Sequence, residues 1–117
     1  MAHKIDAKTP RGAANQLLRA IRKIDPEEQN SGRRVEDFRI RMGDHSLWWW
    51  ERWSIVTVWW EGGPYEWAII ASGGGDIFAE EFGDPRDVWR NGPTFDMTSE
   101  NWYTEPENSY SLTFVKL

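Results

Sequence analysis

A chain of 117 residues with a formal net charge of −5 has the size of one ordinary domain, and we expect a single domain over residues 1–117. The absence of cysteine excludes disulfides, thiolate catalysis and cysteine-ligated zinc, and the two histidines, His3 and His45, are too few to suggest a histidine-based metal site, so we expect no cofactor. The N-terminus is polar and lacks the apolar segment of a signal peptide, and no apolar run approaches the roughly 20 residues of a membrane helix, which predicts a cytoplasmic protein with no membrane partner.

The clearest predicted element is a helix in the stretch TPRGAANQLLRAIRKIDP. Thr9 is a good N-cap, and Pro10 suits the first helical position. The Asp25-Pro26 step ends the helix, because a residue before proline avoids the α region. Residues 1–8 are predicted to be a flexible N-terminal tail. One apolar stripe recurs at helical spacing, at Ala13, Ala14, Leu17, Leu18, Ile21 and Ile24.

Strands are predicted after a polar loop. The alternation of Phe38, Ile40 and Met42 in VEDFRIRM predicts a half-buried strand with a charged outer face. The tryptophan-rich run over residues 47–60 and the run YEWAIIAS flank Gly62-Gly63, which predicts a hairpin. Residues 73–83 fit either a strand over IFAEEF or a short helix, and we favour the strand. The final run YSLTFVKL alternates again and predicts a strand that is central or well covered.

The run LWWWERWSIVTVWW, residues 47–60, holds six of the nine tryptophans. As one strand it would be apolar on both faces, whereas a single helix covers only one face of a sheet. Three indoles exposed on the other face would leave roughly 500–700 Å² of apolar surface, more than the largest patch of a typical monomer. We therefore predict a bulge or turn near Glu51-Arg52. The second face would be covered by residues 84–108, by a curled sheet, by a second copy of the chain, or by a partner or ligand.

Residues 84–108 contain three prolines, no clear period, and turn signals at Asn91-Gly92-Pro93 and Glu105-Pro106. A segment of this length without regular structure is usually functional or contains a short strand. Its large apolar side chains should hold parts of it in place, namely Val88, Trp89, Phe95, Trp102 and Tyr103.

No stretch carries a convincing catalytic motif. Asp44-His45-Ser46 consists of residue types that turns use, and adjacent side chains in a turn cannot align as a catalytic triad. Gly73-Gly74-Gly75 is followed by Asp76 instead of the Lys-Ser/Thr of a phosphate-binding loop. Arginines and aromatic residues together resemble the ingredients of a single-strand nucleic-acid binder, but the net negative charge argues against such a partner.

These elements predict an α+β fold in which one N-terminal amphipathic helix packs on a four- to five-stranded, mainly antiparallel, twisted sheet. The predicted core consists of Leu17, Leu18, Ile21, Phe38, Ile40, Ile55, Val56, Val58, Ile69, Ile70, Leu112 and Phe114.

Charge is divided unevenly along the chain. Residues 1–53 contain 11 Lys/Arg and 8 Asp/Glu, a net +3, whereas residues 54–117 contain 3 Lys/Arg and 11 Asp/Glu, a net −8. In the simplest interpretation both halves are solvated surface. In the alternative, the acidic half meets a basic partner.

We therefore predict a non-catalytic, small acidic binding protein, an inhibitor or an antitoxin-, immunity- or anti-defence-type partner of a basic protein. Two alternatives are kept: a small-molecule-binding or enzymatic domain with an aromatic pocket between the sheet and residues 84–108, and a homodimeric structural protein that buries a tryptophan-rich sheet face. The predicted protein-binding surface combines carboxylates with aromatic anchors, at Glu80, Glu81, Asp84, Asp87, Trp89, Trp102 and Tyr103.

Overall fold

The computed structural model describes residues 2–24, 33–60, 94–108 and 111–117. The architecture of these residues is α+β, with one long N-terminal helix beside a four-stranded antiparallel sheet and a separate pair of short parallel strands. In chain order the elements are β1 (Ala2–Lys4), α1 (Pro10–Ile24), β2 (Arg33–Asp37), α2 (Phe38–Arg41), β3 (Ile55–Trp60), β4 (Thr94–Asp96), β5 (Trp102–Asn108) and β6 (Ser111–Lys116).

Helix α1 begins and ends where the sequence predicts. The backbone N–H of Gly12 donates to the Thr9 hydroxyl at 3.1 Å, so Thr9 is the N-cap. Glycine at this position leaves room for the cap, because a Cβ there would lie 2.9 Å from the Thr9 hydroxyl oxygen. The helix ends at Ile24, and its apolar stripe is buried at Ala13, Ala14, Leu17, Leu18 and Ile21.

The four-stranded sheet has the order β2-β3-β6-β5, and every neighbouring pair is antiparallel. The last strand of the chain, β6, is central, which confirms the prediction for YSLTFVKL. Its register with β3 pairs Val56 with Phe114 and Val58 with Leu112. These four side chains are fully buried in one cluster with the apolar stripe of α1. The sheet therefore provides one face to α1, and that face forms the main core.

The described residues before α1, predicted from the sequence to be a flexible tail, make regular contacts with the rest of the fold. Strand β1 pairs in parallel with β4, and Ile5 is buried in the core. The side chain of Gln16 holds the following backbone, since its carbonyl oxygen accepts the N–H groups of Asp6 and Ala7 at 3.0 Å each. Its amide group donates to the Lys4 carbonyl at 3.2 Å. One helix residue thus satisfies backbone groups that a free tail would leave to water.

The predicted strand over VEDFRIRM is also corrected, because it stops halfway. Strand β2 ends at Asp37, and residues Phe38–Arg41 form the single helical turn α2. The cause is the Asp37 carboxylate, which accepts the backbone N–H groups of Arg39 and Ile40 at 3.1 and 3.4 Å. An aspartate that caps a turn in this way overrides the alternating pattern, because its local hydrogen bonds compete with the strand ladder.

The core agrees with the prediction where helix and central strands supply it. Leu17, Leu18, Ile21, Val56, Val58, Leu112 and Phe114 are buried as predicted. Phe38 and Ile40 are only half-buried because they lie on α2, and Ile55 is half-buried at the start of β3. The core also contains residues that were not predicted for it, Ile5, Phe95 and Trp102, and the predicted Ile69 and Ile70 lie outside the described residues.

The second face of the sheet is more polar than the sequence suggests. Thr57 and Thr113 face each other across β3 and β6, and their hydroxyl oxygens lie 3.2 Å apart in a buried hydrogen bond. The Arg41 guanidinium lies over the Trp59 ring, 3.9 Å from its centroid. Arg41 also pairs with Glu107 at 3.4 Å. A charged side chain from α2, which is not among the covers predicted for this face, therefore covers part of it.

Several predictions lie outside the described residues, among them the hairpin through Gly62-Gly63 and the strand or helix within residues 73–83. Of the predicted long loop, residues 94–108 are described, and they include β4 and β5, which confirms that this segment contains short strands. Among the helices of the described part of the chain, none is both long and apolar enough to cross a membrane.

Candidate binding surface at the tryptophan loop

The segment that joins α2 to β3 contains three of the exposed aromatic side chains of the described residues, and we call residues 47–54 the tryptophan loop. Two successive turns build it. The N–H of Glu51 donates to the Trp48 carbonyl at 2.9 Å, and the N–H of Ser54 donates to the Glu51 carbonyl at 3.2 Å. The Glu51 carboxylate accepts the Trp48 N–H at 3.2 Å, which closes the first turn from the side. The predicted interruption of the tryptophan run near Glu51-Arg52 is thus confirmed.

Trp53 anchors this loop to the rest of the fold. Its backbone has φ 64°, the left-handed region that side chains other than glycine rarely occupy. Its N–H donates to the second carboxylate oxygen of Asp37 at 2.8 Å, so one aspartate fixes both α2 and the end of the loop. The Trp53 ring packs against the core and carries the Arg11 guanidinium 4.0 Å from its centroid. The loop is therefore held at its base by a part-buried hydrogen bond and by packing of the Trp53 ring against the core.

The other three indoles of the loop point outwards. Trp48, Trp49 and Trp50 are 63%, 79% and 58% exposed. Trp48 and Trp50 are stacked with ring centroids 5.3 Å apart, and Trp49 meets Trp50 edge-on at 5.8 Å. With about two-thirds of each indole exposed, the cluster presents roughly 300–500 Å² of contiguous apolar surface, which is the size of patch that often serves a function on a monomer.

An open pocket of about 270 Å³ lies beside this cluster. Trp50 and Trp53 supply aromatic surface to its wall, and Lys8, Arg52 and Lys116 supply three cationic side chains. The lining contains one acidic side chain, Glu100. Among the described residues, none of the three cations forms an ion pair. The pocket therefore combines aromatic surface with a local excess of positive charge.

The predicted binding residues do not form one surface within the described part of the chain. Trp102, predicted as an aromatic anchor of the binding surface, is fully buried in the structure. It meets Phe114 edge-on at 5.2 Å and donates its indole N–H to the Ala7 carbonyl at 2.7 Å. Tyr103 is 41% exposed, and as the next residue of β5 it points to the opposite face. The other five predicted residues lie outside the described residues: Glu80, Glu81, Asp84, Asp87 and Trp89.

The alternative of an aromatic pocket between the sheet and residues 84–108 is not supported by the described part of that segment. Residues 102–108 form β5, which is a strand of the sheet and cannot also lie over it. Phe95, on β4, is buried in the core beside the N-terminal segment. The described pocket instead opens at the base of the tryptophan loop.

Asp44-His45-Ser46 forms the turn that the sequence predicts. The Ser46 hydroxyl donates to the Asp44 carboxylate at 2.7 Å, and the Ser46 N–H donates to the same oxygen at 3.1 Å. These two hydrogen bonds, the hydroxyl first, hold the pKa of Asp44 below its ordinary value. A serine whose proton is directed to an adjacent exposed carboxylate has no histidine base, so this geometry is not that of a catalytic triad.

Other chemistry is limited in the described residues. Their His, Asp and Glu side chains include no group of three or more placed to hold a metal ion. Comparison with known proteins adds no assignment: no protein-family model matches the chain, and no curated protein or solved structure is significantly similar to it. Among the described residues, the tryptophan loop and its pocket are therefore the features that bear on function.

The exposed indoles are not predicted as a binding surface from the sequence. There the tryptophan run is interpreted as a packing problem, and the predicted aromatic anchors lie in residues 84–108. The available signal was the WERW stretch itself, because a turn there removes residues 48–50 from the strand and from both sheet faces.

Proposed function

We propose that this chain is a non-catalytic binding protein that engages a protein partner through the tryptophan loop. The observation that carries the proposal is the exposed cluster of Trp48, Trp49 and Trp50 on a segment closed by turns and anchored by Trp53. Tryptophan is among the residues most often found at the energetic centre of protein interfaces. An inhibitor or an antitoxin-, immunity- or anti-defence-type partner is the kind of protein that this surface suits.

The magnitude is adequate for a hot spot. Burial of roughly 300–500 Å² of indole surface contributes about 8–12 kcal/mol before the costs of association are subtracted. Those costs are about 4–15 kcal/mol, and ordering a loop adds to them. The hydrogen bonds from Glu51 and Asp37 order the backbone before binding, which lowers the part of the cost that belongs to the loop.

A small-molecule site is the weaker interpretation of the same surface. The pocket of about 270 Å³ is slightly smaller than the roughly 300–1,000 Å³ typical of such sites, and it is open to solvent. The three exposed indoles lie mainly outside it, with Trp50 alone in its lining. A homodimer would bury the same indoles and is kept as the second candidate, since the exposed cluster gives it the same physical motive.

Selection from a displayed library of random peptides tests the proposal. We expect the immobilised protein to enrich a restricted set of peptides, and the triple variant Trp48→Ser/Trp49→Ser/Trp50→Ser to bind those peptides at least about tenfold more weakly. Tyr103→Ser is the matched control, because Tyr103 is an exposed aromatic residue on β5. Enriched peptides that bind the triple variant equally well would contradict the proposal. Sedimentation equilibrium at low and high concentration tests the homodimer, which requires an association that the triple variant loses.

A further inference from the structure

The pocket beside the tryptophan loop gathers positive charge from three distant parts of the chain. Lys8 precedes α1, Arg52 belongs to the loop, and Lys116 ends β6. All three side chains are exposed, and Glu100 is the one acidic side chain in the lining, so the side chains of the lining carry a net charge of +2. Among the described residues these cations have no ion-pair partner, so their charge is available to a ligand.

We propose that the segment recognised by the tryptophan loop is an acidic peptide segment of a partner protein, with an apolar or aromatic side chain next to its carboxylates. This inference rests on the proposed function. The apolar side chain packs on Trp48, Trp49 and Trp50, and one or two carboxylates enter the pocket and accept hydrogen bonds from Lys8, Arg52 and Lys116. A short segment fits the dimensions of the site, since about 270 Å³ accommodates one or two side chains.

Charge complementarity favours this occupant over an extended polyanion. The whole chain carries −5, which repels a nucleic acid or an anionic bilayer that spreads over a large part of the surface. At physiological salt, charges more than about 8 Å apart are largely screened, so a short segment responds mainly to the pocket. An acidic partner segment has the opposite charge to the basic partner predicted from the acidic half of the sequence. The contact residues proposed for that basic partner, apart from Trp102 and Tyr103, lie outside the described residues.

The peptide selection described above distinguishes this inference from the proposed function when charge-reversed variants are included. We expect the wild-type protein to enrich peptides with Asp or Glu near an aromatic residue. The pocket variant Lys8→Glu/Arg52→Glu should lose that acidic preference or enrich Lys and Arg instead. Arg19→Glu/Arg22→Glu is the matched control, because it makes the same change in net charge on exposed positions of α1. The control should retain the acidic preference.

Each outcome has one meaning. Peptides that require the three indoles but show no acidic preference would support the proposed function and overturn the acidic segment. An acidic preference that survives the pocket reversal, or that the α1 control loses equally, would also overturn it, because the pocket would not be its source. If the wild-type protein enriches no peptides, that result would contradict the proposed function itself.

Titration of one selected synthetic peptide, followed by tryptophan fluorescence, completes the test. We expect replacement of its Glu and Asp by Gln and Asn to weaken binding about tenfold, and the difference to shrink as salt is raised. Oligothymidylate and vesicles containing phosphatidylserine are the competing probes. Tighter binding of either probe, with the same dependence on Lys8 and Arg52, would replace the acidic peptide with that class of partner.

Discussion

Replacement of Trp102 by Phe tests whether Trp102 is a core residue or an interface residue, a distinction that the sequence does not make. Trp102 is fully buried against Phe114, and its indole N–H donates to the Ala7 carbonyl at 2.7 Å. Phenylalanine keeps an aromatic ring in the core, but it removes the donor and the second ring. The substitution therefore tests the hydrogen bond and the packing together without removing the whole side chain.

The expected loss of unfolding free energy follows from these two contributions. The Ala7 carbonyl is part-buried, and the loss of its donor costs about 1–3 kcal/mol. The missing ring leaves a cavity of roughly 40 Å³, which adds about 1 kcal/mol. The sum, about 2–4 kcal/mol, is a large part of the 5–15 kcal/mol by which domains are usually stable. With an m-value of about 1.5 kcal/mol/M, the urea midpoint should fall by roughly 1.3–2.7 M.

Urea unfolding followed by circular dichroism measures this shift. Trp50→Phe is the matched control, because Trp50 is 58% exposed and its replacement should change the unfolding free energy by less than about 0.5 kcal/mol. Binding of a selected peptide should respond in the opposite way, with a loss for the Trp50 variant and none for the folded Trp102 variant. A Trp102→Phe loss below about 1 kcal/mol, or no larger than that of the control, would refute the packing described for Trp102.

Three further predictions follow from single side chains. Gln16→Ala should speed hydrogen exchange in the backbone that precedes α1, because the N–H groups of Asp6 and Ala7 lose the side-chain oxygen that accepts them. Asn15→Ala is the control and should leave this exchange unchanged. Equal exchange in both variants would refute the role of Gln16. Asp37→Ala should lower the unfolding free energy by about 2–4 kcal/mol in urea, since it removes the α2 cap and a buried acceptor for the tryptophan loop, and a loss below about 1 kcal/mol would contradict this. Ser46→Ala should raise the pKa of Asp44 towards its ordinary value in an NMR titration, because the hydroxyl no longer stabilises the carboxylate. Because the hydrogen bond lowers the folded-state pKa of Asp44, it stabilises the wild-type fold at pH values above the ordinary pKa. The stability difference between the wild-type protein and Ser46→Ala should therefore be largest there and vanish as pH falls through the folded-state pKa. An unchanged titration of Asp44 would exclude that hydrogen bond.

The parts of the fold that could be predicted are those in which a local pattern and the tertiary structure agree. The helix has a cap at Thr9, an apolar stripe of period 3.6, and a proline step just beyond its end, and all three act on the same residues. The last strand alternates because its apolar residues lie on the face that packs on the helix, where Leu112 and Phe114 are buried. Composition and period suffice there because burial of one face dominates the energy of each element.

The predictions failed where one polar side chain outweighed the pattern. Asp37 ends a strand that alternation would continue, because its carboxylate accepts three backbone N–H groups, from Arg39, Ile40 and Trp53. Gln16 similarly orders residues that look like a tail. The hydrogen bond between Trp53 and Asp37 joins residues 16 apart in the sequence, and no local periodicity indicates such a contact.

The candidate site was harder to predict than the fold, because indoles have the same composition signal whether they are buried or exposed. Trp102 and Trp49 are both tryptophans in aromatic stretches, yet one is fully buried and the other is 79% exposed. Position relative to the sheet decides between them, since Trp102 begins a strand beside the core and Trp49 lies in a turn. The sequence predicts the turn, but the exposure of the side chains within it is not predicted.

The backbone of Trp53 gives a physical reason to regard the exposed indoles as a maintained feature. A bulky residue in the left-handed region costs about 1–3 kcal/mol and persists only where surrounding contacts fix it. Here the Asp37 carboxylate and the Arg11 guanidinium supply those contacts. A segment that only connects α2 to β3 requires neither a strained backbone nor three solvent-exposed indoles. If strain and exposure serve binding, Trp53→Gly should relieve the strain yet weaken peptide binding, because the ring that anchors the loop is lost. Unchanged peptide affinity in a folded Trp53→Gly protein would show that the anchor is unrelated to recognition.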